Sequence, residues 1–172
     1  SDLHPRTAPK HIALATDLSH RCDRALDRAL LVAKAWHAEL TVIHALDPIE
    51  DTHPFGSLRE LPSWRRPPDP VRKIRDRIHR DLLREDPHIA INVHVERGSP
   101  FEVVLKATRK SHAEMIVTGV ARDELLERIF LGDTVDRLIR KSALPVLIVR
   151  DRAFEPYHSM VVATDFSDSS RV

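Results

Sequence analysis

The chain has 172 residues, with 27 Lys plus Arg against 26 Asp plus Glu and a formal net charge of +1. That balance, with aromatic residues at 5%, predicts neither a nucleic-acid surface nor an anionic-membrane patch, because those need concentrated positive charge or stacking rings. A single cysteine, Cys22, excludes an internal disulfide, and no apolar run approaches the roughly 18 residues of a spanning helix, so the chain reads as soluble and cytoplasmic, with no secretory leader in its polar first ten residues.

His11–Thr16 is a short apolar run ending at Asp17 and predicts a buried strand. Ser19 is placed to cap the next helix. That helix runs to about His37, with Cys22, Leu26, Ala29, Leu30 and Ala33 on one face and Arg21, Arg24, Asp27 and Arg28 on the other. Glu39–Leu46 predicts a second strand, so the chain opens with a parallel β-α-β crossover. Residues 47–70 hold six prolines and predict a long loop, expected to be mobile or to lie over a cleft. Helical spacing returns over Val71–Glu85, and Ile89–Glu96 alternates as a strand. Ser99, Pro100 and Glu102 predict an N-cap, a proline at the first helical position and a closing capping box, with the helix reaching about His112. Glu114–Gly119 predicts a buried strand and Val120–Leu131 an irregular turn. Gly132-Asp133-Thr134 opens a last helix to about Ser142, and Leu144–Val149 is a final strand. The alternation predicts an α/β fold: a doubly wound, five-stranded parallel sheet with helices on both faces. Ligands in such sheets bind at the strands' C-terminal ends, where strand order reverses, and Asp17 and Gly119 both end strands.

Ala15-Thr16-Asp17-Leu18-Ser19 recurs as Ala163-Thr164-Asp165-Phe166-Ser167, 148 residues later, each copy closing an apolar run. One domain of the length just traced fills that offset, which predicts a tandem repeat. The organisation expected is an N-terminal tail (1–10), a complete domain (11–150), a linker (151–159) and the first strand of a second repeat (160–172). That last strand is expected to pair with a sheet edge.

The ordered set of an Ala-Thr-Asp strand end with Ser19, the strand Leu40–Ala45, Gly98-Ser99-Pro100 before a helix, and Gly119, Gly132 and Leu144–Val149 resembles the universal stress protein family over residues 11–150. The resemblance implies the adenine-nucleotide α-hydrolase-like fold, a stress-response role without enzymatic turnover, and association through the last strand. The partner of the Pro145–Val149 edge would be a second copy, as a homodimer, or the second domain within the chain. It also implies ATP or AMP as ligand, with Mg²⁺ accompanying ATP, held by Asp17, Val42, Gly119, Arg122, Gly132, Asp133 and Thr134.

Nucleotide-binding members resemble one another in a spacing of Gly, two residues, Gly, nine residues, Gly, then Ser or Thr. Gly119 and Gly132 fit; Arg122 replaces the middle glycine, and Asp133 replaces the hydroxyl residue, with Thr134 one place late. A phosphate-cradling loop uses glycine so that bare backbone can reach φ > 0 and approach the anion. Asp133, read as an N-cap, would satisfy the helix's free donors itself and bring negative charge to the phosphate position. The residues therefore predict a degraded triphosphate site. Arg122 as a phosphate clamp, or a ligand resembling AMP that needs less of the loop, stays open as the alternative.

The 11 histidines are scattered, with no metal-ligand spacing, and no nucleophile elbow or dinucleotide fingerprint is present. His44 and His94 are mid-strand and are expected to be packing residues that could face each other. A phosphoacceptor receiver, also doubly wound, would need an acidic cluster where Asp17 stands alone and a lysine where Arg150 follows the last strand.

Overall fold

The computed structural model describes residues 8–18, 20–46, 69–85, 88–122, 129–130, 132–152, 154, 155 and 157. The elements in chain order are β1 (His11–Ala15), α1 (His20–Trp36), β2 (Glu39–Leu46), α2 (Pro70–Glu85), β3 (Ile91–Arg97), α3 (Pro100–Lys110), β4 (Met115–Gly119), β5 (Ala121–Arg122), β6 (Ile129–Phe130), α4 (Asp133–Lys141) and β7 (Val146–Val149). β1, β2, β3, β4 and β7 form a parallel sheet in the order β3-β2-β1-β4-β7. Order reverses between β1 and β4, and among the described residues β3 and β7 are its edges.

Strand alternation divides the core in two. Ile12, Leu14, Leu40, Val42 and Val117 pack beneath Ala25, Ala29 and Ala33 of α1 and Ile78 and Leu82 of α2. Ala13, Ala15, Ile43 and Ile116 pack on the other face, beneath Phe101, Val104 and Ala107 of α3 and Leu138 of α4. Alanines along α1 let that helix lie close over the central strands. Among the described residues no helix is long and apolar enough to cross a membrane.

α1 and α3 end alike. His37 (φ 53°) and His112 (φ 52°) take the left-handed conformation just past each helix. Ala38 N–H then donates to Ala33 O at 2.9 Å, and Ala113 N–H to Thr108 O at 2.9 Å. This is the Schellman arrangement, in which glycine usually holds the place that histidine holds here.

Several expectations are revised. Ser99 does sit at the N-cap of α3, with Pro100 at the first helical position, but its side chain makes no capping bond. Glu102 lies instead 3.8 Å from Arg137 of α4, and that guanidinium stacks on Phe101 at 4.2 Å. The turn expected over Val120–Leu131 contains a short antiparallel pair, β5 with β6. His44 and His94 do not face each other: Ile43 is the register partner of His94, so the two histidines take opposite sides of the sheet.

Arg28, expected on the polar face of α1, is buried, at 9% exposure. Its NH1 donates to Glu155 O at 2.7 Å and its guanidinium stacks 4.0 Å from the Tyr157 ring centre. Arg24 donates to Arg150 O at 3.0 Å. The chain after β7 therefore runs along α1 and covers what would have been its solvent face. Ser19, the proline-rich stretch 47–68 and the repeat strand 160–164 lie outside the described residues, as does the Cys22 side chain.

Candidate functional site

At the C-terminal end of the sheet, where β1 and β4 diverge, lies a cavity of about 250 Å³. This is just below the usual range for ligand clefts, about 300–1,000 Å³. Ala15, Thr16 and Asp17 reach it from β1, and Thr118, Gly119 and Val120 from β4. Ile43 and Ala45 come from β2, Pro100 and Val104 from α3, and Gly132 through Val135 from the start of α4.

The turn after β1 is pinned at every polar atom of Thr16. Its N–H donates to Ile43 O at 3.0 Å, its carbonyl lies 2.9 Å from Nδ1 of His44, and its Oγ1 accepts Leu18 N–H at 3.0 Å. Leu18 is left-handed, with φ 61°, a conformation that costs a residue with a side chain about 1–2 kcal/mol. Asp17 sits between these two anchored residues, exposed at the cavity rim.

Two helices begin at the cavity. α3 starts at Pro100, with Ser99 uncapping, and α4 has Gly132 as its N-cap (φ −63°, ψ 154°), so no N-cap side chain occupies either start. This corrects the reading of Asp133 as a self-satisfying cap: Asp133 is the first helical residue, and the free amides of the first turn keep their capacity to bind an anion. A Cβ built on Gly132 meets nothing within 4 Å, and its φ is negative. Neither crowding within the chain nor backbone strain accounts for glycine there.

The cavity thus collects Asp17, Gly119, Gly132, Asp133 and Thr134 of the expected residues. Val42 is not in its lining: 2% exposed, it packs in the α1–α2 half of the core, because alternate residues of β2 face opposite sides. Its neighbours Ile43 and Ala45 form that wall instead. The Arg122 side chain lies outside the described residues; its backbone pairs with Ile129 in β5 and β6. Thr16, Ala45, Val104 and Thr118 were missed from the sequence. The run of small residues Ala13, Ala15 and Ala45 on one sheet face was the available signal for open space.

The arrangement suits a ligand with an apolar part and an anionic part. Ile43, Ala45 and Val104 offer the first a dry wall, and the two helix starts offer the second donors and positive dipole ends. The exposed carboxylate of Asp133 opposes a highly charged anion at the same place. Glu96 and Glu114, whose surroundings hold them below the usual carboxylate range, lie outside the cavity. No cluster of three or more His, Cys, Asp or Glu suited to a metal occurs among the described residues.

A doubly wound parallel sheet with a cleft at its switch point defines an α/β domain of the doubly wound class. Residues 9–150 match the model of the universal stress protein family, and the chain belongs to that family. It is similar to a universal stress protein of Methanocaldococcus jannaschii, 27% identical over 143 residues that cover 82% of each chain. Among solved structures, a universal stress protein of Archaeoglobus fulgidus superposes with TM-score 0.59 at 24% identity over 82% of this chain, which spans 45% of that longer chain. A universal stress protein in complex with cAMP superposes with TM-score 0.55 at 24% identity, covering 83% of this chain and 97% of that one. The superpositions carry the fold.

Proposed function

We propose that the chain is a non-enzymatic, cytoplasmic stress-response module whose switch-point cavity receives an adenine nucleotide of low phosphate charge. The observation that carries this is the meeting of an apolar wall with two helix starts whose N-cap residues offer no side-chain bond. The open space beside Gly132 supports close approach of a ligand to the backbone there. The complex of a family relative with cAMP supports the ligand class. Asp17, Gly119, Gly132 and Thr134 are the residues assigned to the ligand, while Asp133 weakens a triphosphate free of Mg²⁺ relative to a monophosphate. Calorimetric titration with AMP and with ATP, each with and without Mg²⁺, tests this. Binding of AMP at least as tight as ATP is expected; absence of binding by both overturns the reading.

A second reading, association, is favoured by β7. It is an edge strand, and Val146, Leu147 and Ile148 are only partly covered. An apolar edge of this kind is a template for pairing with another chain or domain. The 148-residue repeat supports a tandem arrangement in which a second domain supplies that partner. Sedimentation of the wild type and of Leu147→Lys separates these: a dimer that the substitution dissociates supports pairing through β7.

A further inference from the structure

The turn that carries Asp17 is held from outside the site. β1 and β2 are in register with Ala15 against Ile43, which brings His44 alongside Thr16. His44 is 9% exposed and its Nδ1 lies 2.9 Å from Thr16 O. A carbonyl oxygen can only accept, so Nδ1 carries the proton and donates. Thr16 and Asp17 share the peptide whose oxygen is bound in this way. The next residue, Leu18, is kept left-handed at φ 61° with its N–H on Thr16 Oγ1. A leucine does not hold that conformation unless its neighbours fix it.

We propose that His44 is a positioning residue of the nucleotide site. Its Nδ1–H locks the Thr16–Asp17 peptide so that Asp17 stays at the cavity rim, although the imidazole does not itself line the cavity. The inference rests on the nucleotide reading of that cavity, but its geometric half can be tested alone. Without the donor, the Thr16 carbonyl can rotate, the strained turn relaxes toward a more common conformation, and Asp17 leaves the rim. His44→Asn keeps an N–H donor at the place of Nδ1, whereas His44→Leu removes it.

The test is nitrogen-15 NMR of the full chain together with AMP titration of the wild type and both variants. The wild-type ring is expected as the Nδ1–H tautomer. His44→Leu is expected to shift the Asp17 and Leu18 amide signals and to weaken AMP binding about tenfold, the value of one lost hydrogen bond. His44→Asn is expected to restore the amide signals and to bind within about threefold of wild type. A folded His44→Leu protein with unmoved Asp17 and Leu18 signals overturns the proposal, as does an Nε2–H tautomer in the wild type. If the wild type binds no AMP, the nucleotide reading falls and the tautomer and amide signals still decide the positioning role. If His44→Leu does not fold, the tautomer and the His44→Asn signals decide it.

Discussion

The carboxylate of Glu114 accepts the backbone N–H of Lys10 at 2.6 Å, joining the residue before β4 to the residue before β1. It also accepts His11 N–H at 3.2 Å, while its own N–H donates to His11 O at 2.8 Å. The two strands that part at the cavity are thus fastened at their opposite ends. The N–H of Lys10, followed by that of His11, holds the Glu114 carboxyl below the usual range. A carboxyl whose pKa is lowered on folding adds stability above its unfolded value, about 4.3, and loses it as pH falls through the folded value. Melting temperatures measured from about pH 6 to about pH 3 should therefore fall more steeply for the wild type than for Glu114→Gln.

Leu138 is fully buried in the α3–α4 half of the core and ties α4 to the sheet. Leu138→Ala should cost about 2–5 kcal/mol in urea denaturation. Because α4 begins at the cavity, the same variant should weaken nucleotide binding by more than an equally destabilising change in the other half of the core, such as Leu82→Ala.

Asp133 is exposed at the first turn of α4, so its repulsion of an anion is screened. Two like charges about 4 Å apart repel by about 1 kcal/mol in water, against about 4 kcal/mol at an effective dielectric of 20. The lower figure applies to an exposed group, so Asp133→Ser should tighten ATP binding about fivefold, and AMP binding less. Equal gains for the two nucleotides in calorimetric titration would place the phosphates elsewhere.

Arg28→Ala removes the charged hydrogen bond to Glu155 O and the stack on Tyr157. Its buried Nε has no partner among the described residues, which offsets part of the loss. A net destabilisation of about 1–3 kcal/mol is expected. The more specific readout is trypsin cleavage after the exposed Arg150 and Arg152, which should quicken in Arg28→Ala before global unfolding does.

The sheet was legible in the sequence because each strand is a short apolar run between helices of clear period, and the positions of Asp17, Gly119 and Gly132 followed from where those runs stop. What the sequence hid was three-dimensional. Arg28 has the spacing of a solvent-facing residue, and only the return of the chain along α1 buries it. Ser99, Pro100 and Glu102 spell a capping box, yet Ser99 makes no side-chain capping bond and Glu102 lies near Arg137, far along the chain. Asp133 reads as a cap by residue type, but the cap falls one residue earlier, at Gly132, and Asp133 is the first helical residue. The role of β2 was assigned to Val42 instead of Ile43 and Ala45, since a one-residue shift on a strand changes the face.

The two histidine turns described above have a further consequence. The chain has only four glycines, and His37 and His112 fill positions that glycine fills at less conformational cost. Both lie where helices hand over to the N-terminal ends of β2 and β4, across the sheet from the cavity. Leu18, the third left-handed side chain, follows Asp17 of the cavity rim at the C-terminal end of β1. The left-handed side chain beside the proposed site and the two remote from it are therefore at opposite poles of the molecule. Relieving the distal pair, as with His37→Gly and His112→Gly, should raise heat resistance without touching the residues that line the cavity.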